Sequence, residues 1–386
     1  MIMQTAKRLE TVEEYYFSTK LREVRALAAA GKPILNMAIG SPDLAPPKEV
    51  IESIQESLYQ EGAHKYQSYQ GLPELRKAMA DFYQNKYAVS LDPNHEILPL
   101  MGSKEGIMHI SMAYLNEGDE VLVPNPGYPT YTSVTKLVGA KPLFYDLNEA
   151  GGWEPDLDFL EKKYNLSKVK IMWVNYPHMP TGAAGSKELF EKLIRFAKKH
   201  AILLVNDNPY SFVLNESPLS ILSVDGAKEV ALELNSLSKT FNMAGWRIGK
   251  VMGAKEKIEA ILKVKSNMDS GMFQGIQRGA ITALHLSEEW YHSMNAIYSE
   301  RRKLIWSLAS SLGCTYDINA TGMFVWAKLP KGVDAVDFID RILYENSIFI
   351  TPGDVFGSNG KGYIRFSLCI NEESIKEAMK RLQVAV

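Results

Sequence analysis

A segment in the second half of the chain places a lysine among small hydroxyl residues and a second cation. Residues 235–249 read NSLSKTFNMAGWRIG, so Lys239 follows Ser236 and Ser238, and Arg247 lies eight residues further on. A lysine amine forms a Schiff base with an aldehyde only when it is unprotonated, and hydroxyls beside a cation suit a phosphate. The segment therefore predicts a lysine that holds a small phosphorylated aromatic aldehyde, although most loop lysines are only solvated.

Two further charged residues are predicted to lie in buried strands, where an unpaired charge is costly. Asp207 ends an apolar run and is followed by Tyr210, and Arg365 lies in the alternating segment 363–368. Asp207 would pair with a cation, or would cap an Asx-type turn. Arg365 would bind a substrate carboxylate through two parallel contacts, or would pair with an internal Asp or Glu.

A turn of small residues precedes a predicted helix near residue 107. It consists of Gly102, Ser103 and Lys104. Free backbone N–H groups at the start of a helix suit a phosphate, although Ser103 is explained equally well as an ordinary N-cap. Tyr128 follows a predicted strand, and a position in the hydrophobic core explains this residue as well as a ligand contact does.

Short apolar runs that alternate with a helical pattern predict the elements that position these residues. The runs are 120–123, 169–174, 201–205 and 229–234, which are typical of buried parallel strands. Between the second and third runs, 186–200 has an apolar stripe and a basic end, as expected for a helix. These βαβ units predict an α/β fold whose ligands bind at the carboxyl ends of the strands.

The pattern changes near residue 285. A helix is predicted over 287–312, alternating strands over 323–329 and 363–368, and a last helix over 372–383. This order is typical of a smaller α+β domain. We therefore expect an N-terminal arm with part of the small domain (1–45), a large cofactor-binding domain (46–285) and a small C-terminal domain (286–386).

The composition excludes several classes of protein. Of the 386 residues, 46% are hydrophobic and 23% are charged, as in an ordinary folded protein, and the formal net charge of -2 does not favour nucleic acid or an anionic membrane as a partner. No apolar run reaches the length of a membrane span. Cys314 and Cys369 lack the spacing of metal ligands and fit a reducing compartment, so we expect a cytoplasmic protein without a metal site.

Together these motifs resemble those of the class I and II aminotransferases, which are pyridoxal-phosphate enzymes of fold type I. SLSKTFNMAGWRIG is similar to the family's lysine motif, KYQSYQGLPELR to its Y-x4-G-x3-LR stretch, and NYPHMPTG to its NPxNPTG turn. The resemblance extends from Gly40 to Arg365 and is closest to the diaminopimelate, aspartate and alanine aminotransferase subgroup. It implies a large domain with a mostly parallel sheet between helices, and a smaller α+β domain.

The resemblance implies a role for each residue around the cofactor, pyridoxal 5'-phosphate. Lys239 carries the cofactor as a Schiff base, Asp207 pairs with the ring nitrogen, and Tyr210 donates a hydrogen bond to the ring oxygen O3'. Tyr128 stacks on the pyridine face. The phosphate is held by small and cationic residues, which are Gly102, Ser103, Lys104, Ser236, Ser238 and Arg247.

The resemblance also implies how substrate and a second subunit take part. Arg365 binds the α-carboxylate of the substrate, and the backbone of Gly40 approaches the same group. Tyr66, five residues before Gly71, matches the tyrosine that reaches the phosphate of the neighbouring subunit's cofactor. A homodimer with shared active sites is therefore expected.

One motif departs from the family pattern. In NYPHMPTG the residue before Pro-Thr-Gly is Met179, where the family has an Asn that donates a hydrogen bond to O3'. Asn175, at the start of this turn, is retained as a cofactor-binding candidate. His178 could replace the missing donor, although a loop histidine is more often simply solvated.

The function implied is ping-pong transfer of an amino group between an amino acid and a 2-oxo acid, usually 2-oxoglutarate in the family. The amino acid side chain that is accepted does not follow from the motifs. Two alternatives remain at this point: a fold-type-I lyase that performs β-elimination on the same site, and an inactive cofactor-binding scaffold. A DNA-binding regulator is disfavoured because the chain has no residues left for such a domain.

Overall fold

A computed structural model describes residues 3–383 of the chain. Met1–Ile2 and Val384–Val386, the two ends of the predicted N-terminal and C-terminal regions, lie outside the described residues. The strands are β1 (Leu35–Asn36), β2 (Ile97–Leu100), β3 (Glu120–Asn125), β4 (Lys141–Asp146), β5 (Val169–Val174), β6 (Leu203–Asp207), β7 (Ala231–Ser236), β8 (Gly249–Gly253), β9 (Thr315–Tyr316), β10 (Phe324–Lys328), β11 (Ile348–Phe349), β12 (Thr351–Pro352) and β13 (Tyr363–Ser367).

The helices fill the segments between these strands. They are α1 (Tyr16–Ala29), α2 (Lys48–Ser57), α3 (Pro73–Tyr87), α4 (Ser103–Tyr114), α5 (Pro129–Leu137), α6 (Leu157–Lys163), α7 (Lys187–His200), α8 (Ala227–Val230), α9 (Leu237–Thr240), α10 (Lys255–Lys265), α11 (Gln274–Leu284), α12 (Glu288–Ser311), α13 (Ala335–Asn346) and α14 (Glu372–Arg381). None of the helices in the described part of the chain has the length and apolarity needed to cross a membrane.

The central element is a seven-stranded sheet in the order β2-β8-β7-β6-β5-β3-β4. The five strands β7, β6, β5, β3 and β4 are parallel, and β8 pairs antiparallel with β7 and β2. Strands β6, β7 and β8 are buried along their whole length, with hydrophobic clusters on both faces. The predicted α/β fold with a mostly parallel sheet is confirmed.

One predicted strand began in the wrong place. The apolar run 229–234 was expected to be a strand from its first residue, but residues 227–230 form the short helix α8, and β7 extends from Ala231 to Ser236. Gly226 precedes α8 with a φ of 73°, a conformation that glycine adopts without strain. The strand therefore ends closer to Lys239 than the apolar run suggested.

The predicted elements after residue 285 form a second sheet. Strands β12, β13, β10 and β9 are antiparallel neighbours in that order. The N-terminal strand β1 pairs in parallel with β11, so the N-terminal segment is joined by hydrogen bonds to the C-terminal part of the chain. The domain bounds at 45 and 285 stay predictions.

Candidate active site

A cavity of about 320 Å³ opens at the carboxyl ends of β5, β6 and β7. The α/β architecture predicts a ligand site at this edge of the sheet. Of the candidate residues named from the sequence, all but Gly102, Tyr66 and the alternative donor His178 line the cavity: Gly40, Ser103, Lys104, Tyr128, Asn175, Asp207, Tyr210, Ser236, Ser238, Lys239, Arg247 and Arg365.

Lys239 reaches the cavity from the short helix α9. The helix begins after β7, where the hydroxyl of Ser236 accepts a hydrogen bond from the backbone N–H of Ser238. The Lys239 amine donates to the carbonyl oxygen of Gly40. Burial lowers the pKa of Lys239, and the nearby cations Arg365 and Arg247 lower it further, which favours the neutral amine that nucleophilic chemistry needs.

Hydroxyl groups, cations and a helix N-terminus meet at one end of the cavity. The hydroxyls of Ser236 and Ser238 are 2.9 Å apart, and Arg247 Nη1 lies 3.5 Å from the Ser238 hydroxyl. A Cβ at Gly102 would lie 2.0 Å from Arg247 Nη2, so only glycine allows this close approach. Burial and the charge of Arg247 lower the pKa of Lys104. These donors fit a phosphate group.

The carboxylate of Asp207 has one bound oxygen and one open oxygen. Its Oδ2 accepts a hydrogen bond of 2.9 Å from the Tyr131 hydroxyl, whereas Oδ1 has no partner within residues 3–383. Burial raises the pKa of Asp207 to about 6, and the hydrogen bond from Tyr131 opposes that rise. An open carboxylate oxygen in a buried place fits the protonated ring nitrogen of pyridoxal phosphate.

Tyr131 was not identified from the sequence. Its ring stacks on Trp173, with centroids 5.1 Å apart and planes at 5°, and this packing holds the hydroxyl on Asp207. Tyr131 lies in the first turn of α5, three residues after the N-cap Tyr128, and the two rings meet edge to face with centroids 5.5 Å apart. That spacing is the one signal in the sequence that could have identified it.

Arg365 is a buried guanidinium that packs on aromatic rings. Its central carbon lies 4.0 Å from the Phe324 centroid and 4.7 Å from the Phe356 centroid. It donates to the carbonyl oxygen of Ala38 at 2.8 Å and to the sulfur of Met179 at 3.2 Å, and its Nε has no partner in the described chain. Burial lowers the pKa of Arg365 to about 10. Within residues 3–383 no carboxylate contacts this guanidinium, so it remains able to bind an anion.

The turn that departs from the family pattern contributes Met179 and Asn175 to the cavity. Asn175 uses its amide on the backbone, because it donates to the Asp207 carbonyl oxygen and accepts from the Met179 N–H at 2.8 Å. His178 does not line the cavity: its Nδ1 lies 2.8 Å from the Thr181 hydroxyl, and burial lowers its pKa to about 3. In this arrangement His178 therefore does not replace the missing hydrogen-bond donor.

Tyr66 is the candidate that lies furthest from the rest. Its side chain is 90% exposed, in a surface depression lined by residues 64–67 and 270–273. The chain by itself therefore does not bring Tyr66 to the cavity.

Residues near the N-terminus form a wall of the cavity that the sequence did not predict. Tyr15, Phe17 and Leu21 line it, and the Lys104 ammonium lies 4.8 Å from the centroid of the Tyr15 ring. Burial raises the pKa of Tyr15. No motif marks these residues, because their place depends on how α1 packs over the site.

A separate group of ionisable residues lies beside α4. Glu105, His109 and Asp269 offer ligand atoms within 4.8 Å of one another, an arrangement that could hold a metal ion. The ammonium of Lys265 already lies 2.7 Å from Asp269 Oδ2, however, so a side-chain cation supplies the positive charge at this position.

Comparison with known proteins identifies relatives over the whole chain. Residues 32–382 match the family model of aminotransferase class I and II. The LL-diaminopimelate aminotransferase of Halothermothrix orenii is 38% identical over 383 residues, which cover 99% of this chain and 98% of that protein. The enzyme of the same name from Aquifex aeolicus is 38% identical over 384 residues, 99% of both chains. The apo structure of BacF from Bacillus subtilis superposes with a TM-score of 0.94 at 34% identity, covering 99% of this chain and 98% of that one.

Proposed function

Because the chain belongs to the class I and II aminotransferases, we propose a role for each side chain of the cavity. The protein is a pyridoxal-phosphate-dependent aminotransferase of fold type I, which moves an amino group between an amino acid and a 2-oxo acid. The observation that carries the roles below is the arrangement of Lys239, Asp207, Arg247 and Arg365 around one cavity.

The cofactor fits the open groups of the cavity. Ser236, Ser238 and Arg247 would hold its phosphate, with the backbone at Gly102 close by, and Asp207 Oδ1 would face its ring nitrogen. When bound, pyridoxal phosphate supplies an electron sink for the electron pair that is left on Cα when a proton is removed. Tyr128 and Tyr210 would contact the ring from their positions on the cavity wall.

Lys239 is proposed as the group that moves the proton. Its amine, with a pKa lowered by burial, would take the proton from Cα of the substrate and return it at the next step. Arg365 would hold the α-carboxylate so that Cα lies within reach of the Lys239 amine. The aromatic rings around Arg365 exclude water from that contact, which strengthens it.

We propose LL-diaminopimelate as the amino donor and 2-oxoglutarate as the acceptor. The two bacterial relatives described above are named LL-diaminopimelate aminotransferases. The family resemblance implies that Lys104 holds the phosphate. Its ammonium, however, lies beside the Tyr15 ring in the cavity, and we propose instead that it binds a second carboxylate of the donor. The N-terminal wall of Tyr15, Phe17 and Leu21 would pack against the aliphatic part of such a substrate.

A donor screen tests this proposal. The purified enzyme is assayed with 2-oxoglutarate and LL-diaminopimelate, meso-diaminopimelate, L-aspartate, L-alanine or L-phenylalanine. We expect the highest kcat/KM with LL-diaminopimelate, and we expect Lys104→Met to lower that value at least about tenfold more than the value for L-alanine, which has no second carboxylate. A preference for L-phenylalanine would reject the donor proposed here.

We propose a cytoplasmic homodimer in which Tyr66 of each subunit completes the site of the other. The position of Tyr66 supports this, since the residue is 90% exposed and available to a second subunit. Both cysteines are buried and free, which suits a reducing compartment. Mixing Tyr66→Phe and Lys239→Ala chains tests the shared site, because a hybrid dimer would carry both lesions in one site and neither in the other. Hybrids no more active than the parent variants would contradict it.

A further inference from the structure

The segment 37–43 forms part of the cavity wall and contacts both Lys239 and Arg365. At its centre the Gly40 carbonyl accepts a hydrogen bond from the Lys239 amine. Three hydrogen bonds join its first half to β13, and they are Ser367 N–H to Met37 O (2.8 Å), Arg365 Nη2 to Ala38 O (2.8 Å) and Ser367 Oγ to Ile39 O (2.7 Å). The segment thus lies between the lysine and the arginine of the site.

Gly40 and Arg365 pack on the same aromatic ring, that of Phe324. A Cβ at Gly40 would lie 2.3 Å from the Phe324 ring, so the backbone of the segment is in direct contact with that ring. The same ring carries the Arg365 guanidinium at 4.0 Å. A shift of Gly40 would therefore move the surface on which the guanidinium is placed.

The last residue of the segment is fixed by a buried arginine. Arg301 on α12 has a side chain that is only 2% exposed, and its Nη1 and Nη2 contact the two oxygens of Asp43 at 2.7 and 3.0 Å. Its Nε also donates to Glu372 at 3.1 Å, and Nη1 donates to the Leu368 carbonyl at 3.1 Å. Paired contacts of this kind fix both distance and orientation.

We propose that Arg301, acting through Asp43, is a positioning residue for substrate binding. It holds the second half of segment 37–43, so that the Gly40 carbonyl, the Phe324 ring and Arg365 keep the spacing that the substrate carboxylate requires. This inference rests on the proposed role of Arg365. It does not involve the phosphate end of the cavity, where Ser236, Ser238 and Arg247 are held by other contacts.

The guanidinium of Arg301 offers a matched pair of variants. Asp43→Asn and Glu372→Gln each remove one negative charge beside the same arginine, at side chains that are 31% and 37% exposed. Only Asp43 belongs to the cavity wall segment. If the ion pairs of Arg301 only stabilised the fold, both variants would change KM alike. If Arg301 positions the segment through Asp43, only Asp43→Asn would change KM.

The experiment compares both variants with the wild-type holoenzyme. The two half-reactions are followed by cofactor absorbance, with L-glutamate as the amino donor and 2-oxoglutarate as the acceptor. For Asp43→Asn we expect kcat/KM for both substrates to fall about tenfold to a hundredfold through a higher KM, the size of loss expected when a positioning group is displaced by about 1 Å. For Glu372→Gln we expect a change within about twofold. The amount of bound cofactor should be unchanged, and Tm should fall by a similar amount in both.

Equal KM changes in the two variants, or no change in either, would overturn the proposal. Loss of cofactor in Asp43→Asn would overturn it as well, because the effect would then extend beyond the substrate end. Arg301→Lys is a second variant, which keeps the charge but not the paired contacts, and it should match Asp43→Asn. Failure of the role proposed for Arg365 gives a different pattern: Arg365→Ala would then show the KM values of the wild type.

Discussion

Removal of a single hydroxyl, in Tyr131→Phe, is expected to change the charge of Asp207. The Tyr131 hydroxyl donates to Asp207 Oδ2 at 2.9 Å, and both side chains are buried. Burial raises the pKa of this carboxyl to about 6, and the hydrogen bond opposes the rise because it stabilises the ionised form. Without the hydroxyl the opposing contribution is lost, and the pKa of Asp207 rises further.

The size of this effect follows from the kind of hydrogen bond. A hydrogen bond to a charged group contributes about 1.5–3 kcal/mol, and 1.36 kcal/mol corresponds to one pH unit, so the pKa of Asp207 should rise from about 6 to about 7–8. At pH 7 the wild-type carboxyl is then mostly ionised, whereas the Tyr131→Phe carboxyl is at most about half ionised. Because only the ionised form pairs with a protonated ring nitrogen, cofactor affinity should fall at neutral pH.

The same shift changes the pH dependence of apoprotein stability. A carboxyl whose folded pKa is raised stabilises the fold while it is protonated, and that contribution is lost as pH rises from the unfolded value near about 4 through the folded value. In the wild type the Asp207 contribution should be lost by about pH 6. In Tyr131→Phe the loss should continue to about pH 7–8.

The assay is the dissociation constant of pyridoxal phosphate from the apoenzyme between pH 5 and 9, together with Tm over the same range. Tyr145→Phe is the matched control, because Tyr145 is also a buried tyrosine but donates to the Trp173 carbonyl rather than to Asp207. If the pH at which cofactor affinity is half lost is the same in Tyr131→Phe and Tyr145→Phe, the reasoning is refuted.

Four further substitutions test the other proposed roles. Lys239→Ala should leave no cofactor attached after borohydride reduction, and cofactor trapped on another lysine would show that the assignment is wrong. Arg365→Ala should lower kcat/KM for amino donors and 2-oxo acceptors alike, by about 30-fold or more for a lost charge pair of about 2–5 kcal/mol, with cofactor still bound; a loss for donors alone would contradict the α-carboxylate role. Met179→Asn should lower the pKa at which the cofactor absorption band titrates, because an amide donor stabilises a ring oxyanion and a thioether does not. His178→Ala should leave this pKa unchanged, because His178 contacts Thr181.

Much of the architecture could be predicted because buried parallel strands have continuous apolar sequences. The runs 120–123 and 169–174 correspond to β3 and β5, and the helix predicted over 186–200 begins after the N-cap Ser186, whose hydroxyl accepts from the Leu189 N–H. The predicted start of β7 was wrong because apolar residues also occur in α8 (Ala227–Val230), which is followed directly by β7 at Ala231. Periodicity over four residues cannot distinguish a short helix from a strand.

Site residues could be predicted where they follow strands. They could not be predicted where only packing between distant segments brings them to the cavity. Asp207 and Lys239 were found because they follow buried strands, and the topology brings those strand ends to one edge of the sheet. Tyr131 and Tyr15 were missed because each depends on a contact between distant segments. The pairing of Tyr131 with Asp207 spans 76 residues, and Tyr15 reaches Lys104 only through the packing of α1.

The charges of the cavity also couple substrate binding to the basicity of the lysine. Arg365 and Arg247 both lower the pKa of Lys239, beyond the lowering that burial causes. A carboxylate paired with Arg365 would cancel part of that repulsion, because the field of a tight ion pair at the lysine is much weaker than the field of an isolated guanidinium. The free Lys239 amine should therefore hold a proton more strongly when Arg365 is paired with a carboxylate than when Arg365 is unpaired. In the proposed role of Lys239, pairing of Arg365 with the substrate carboxylate would strengthen the base that removes the Cα proton, although Arg365 does not touch that proton.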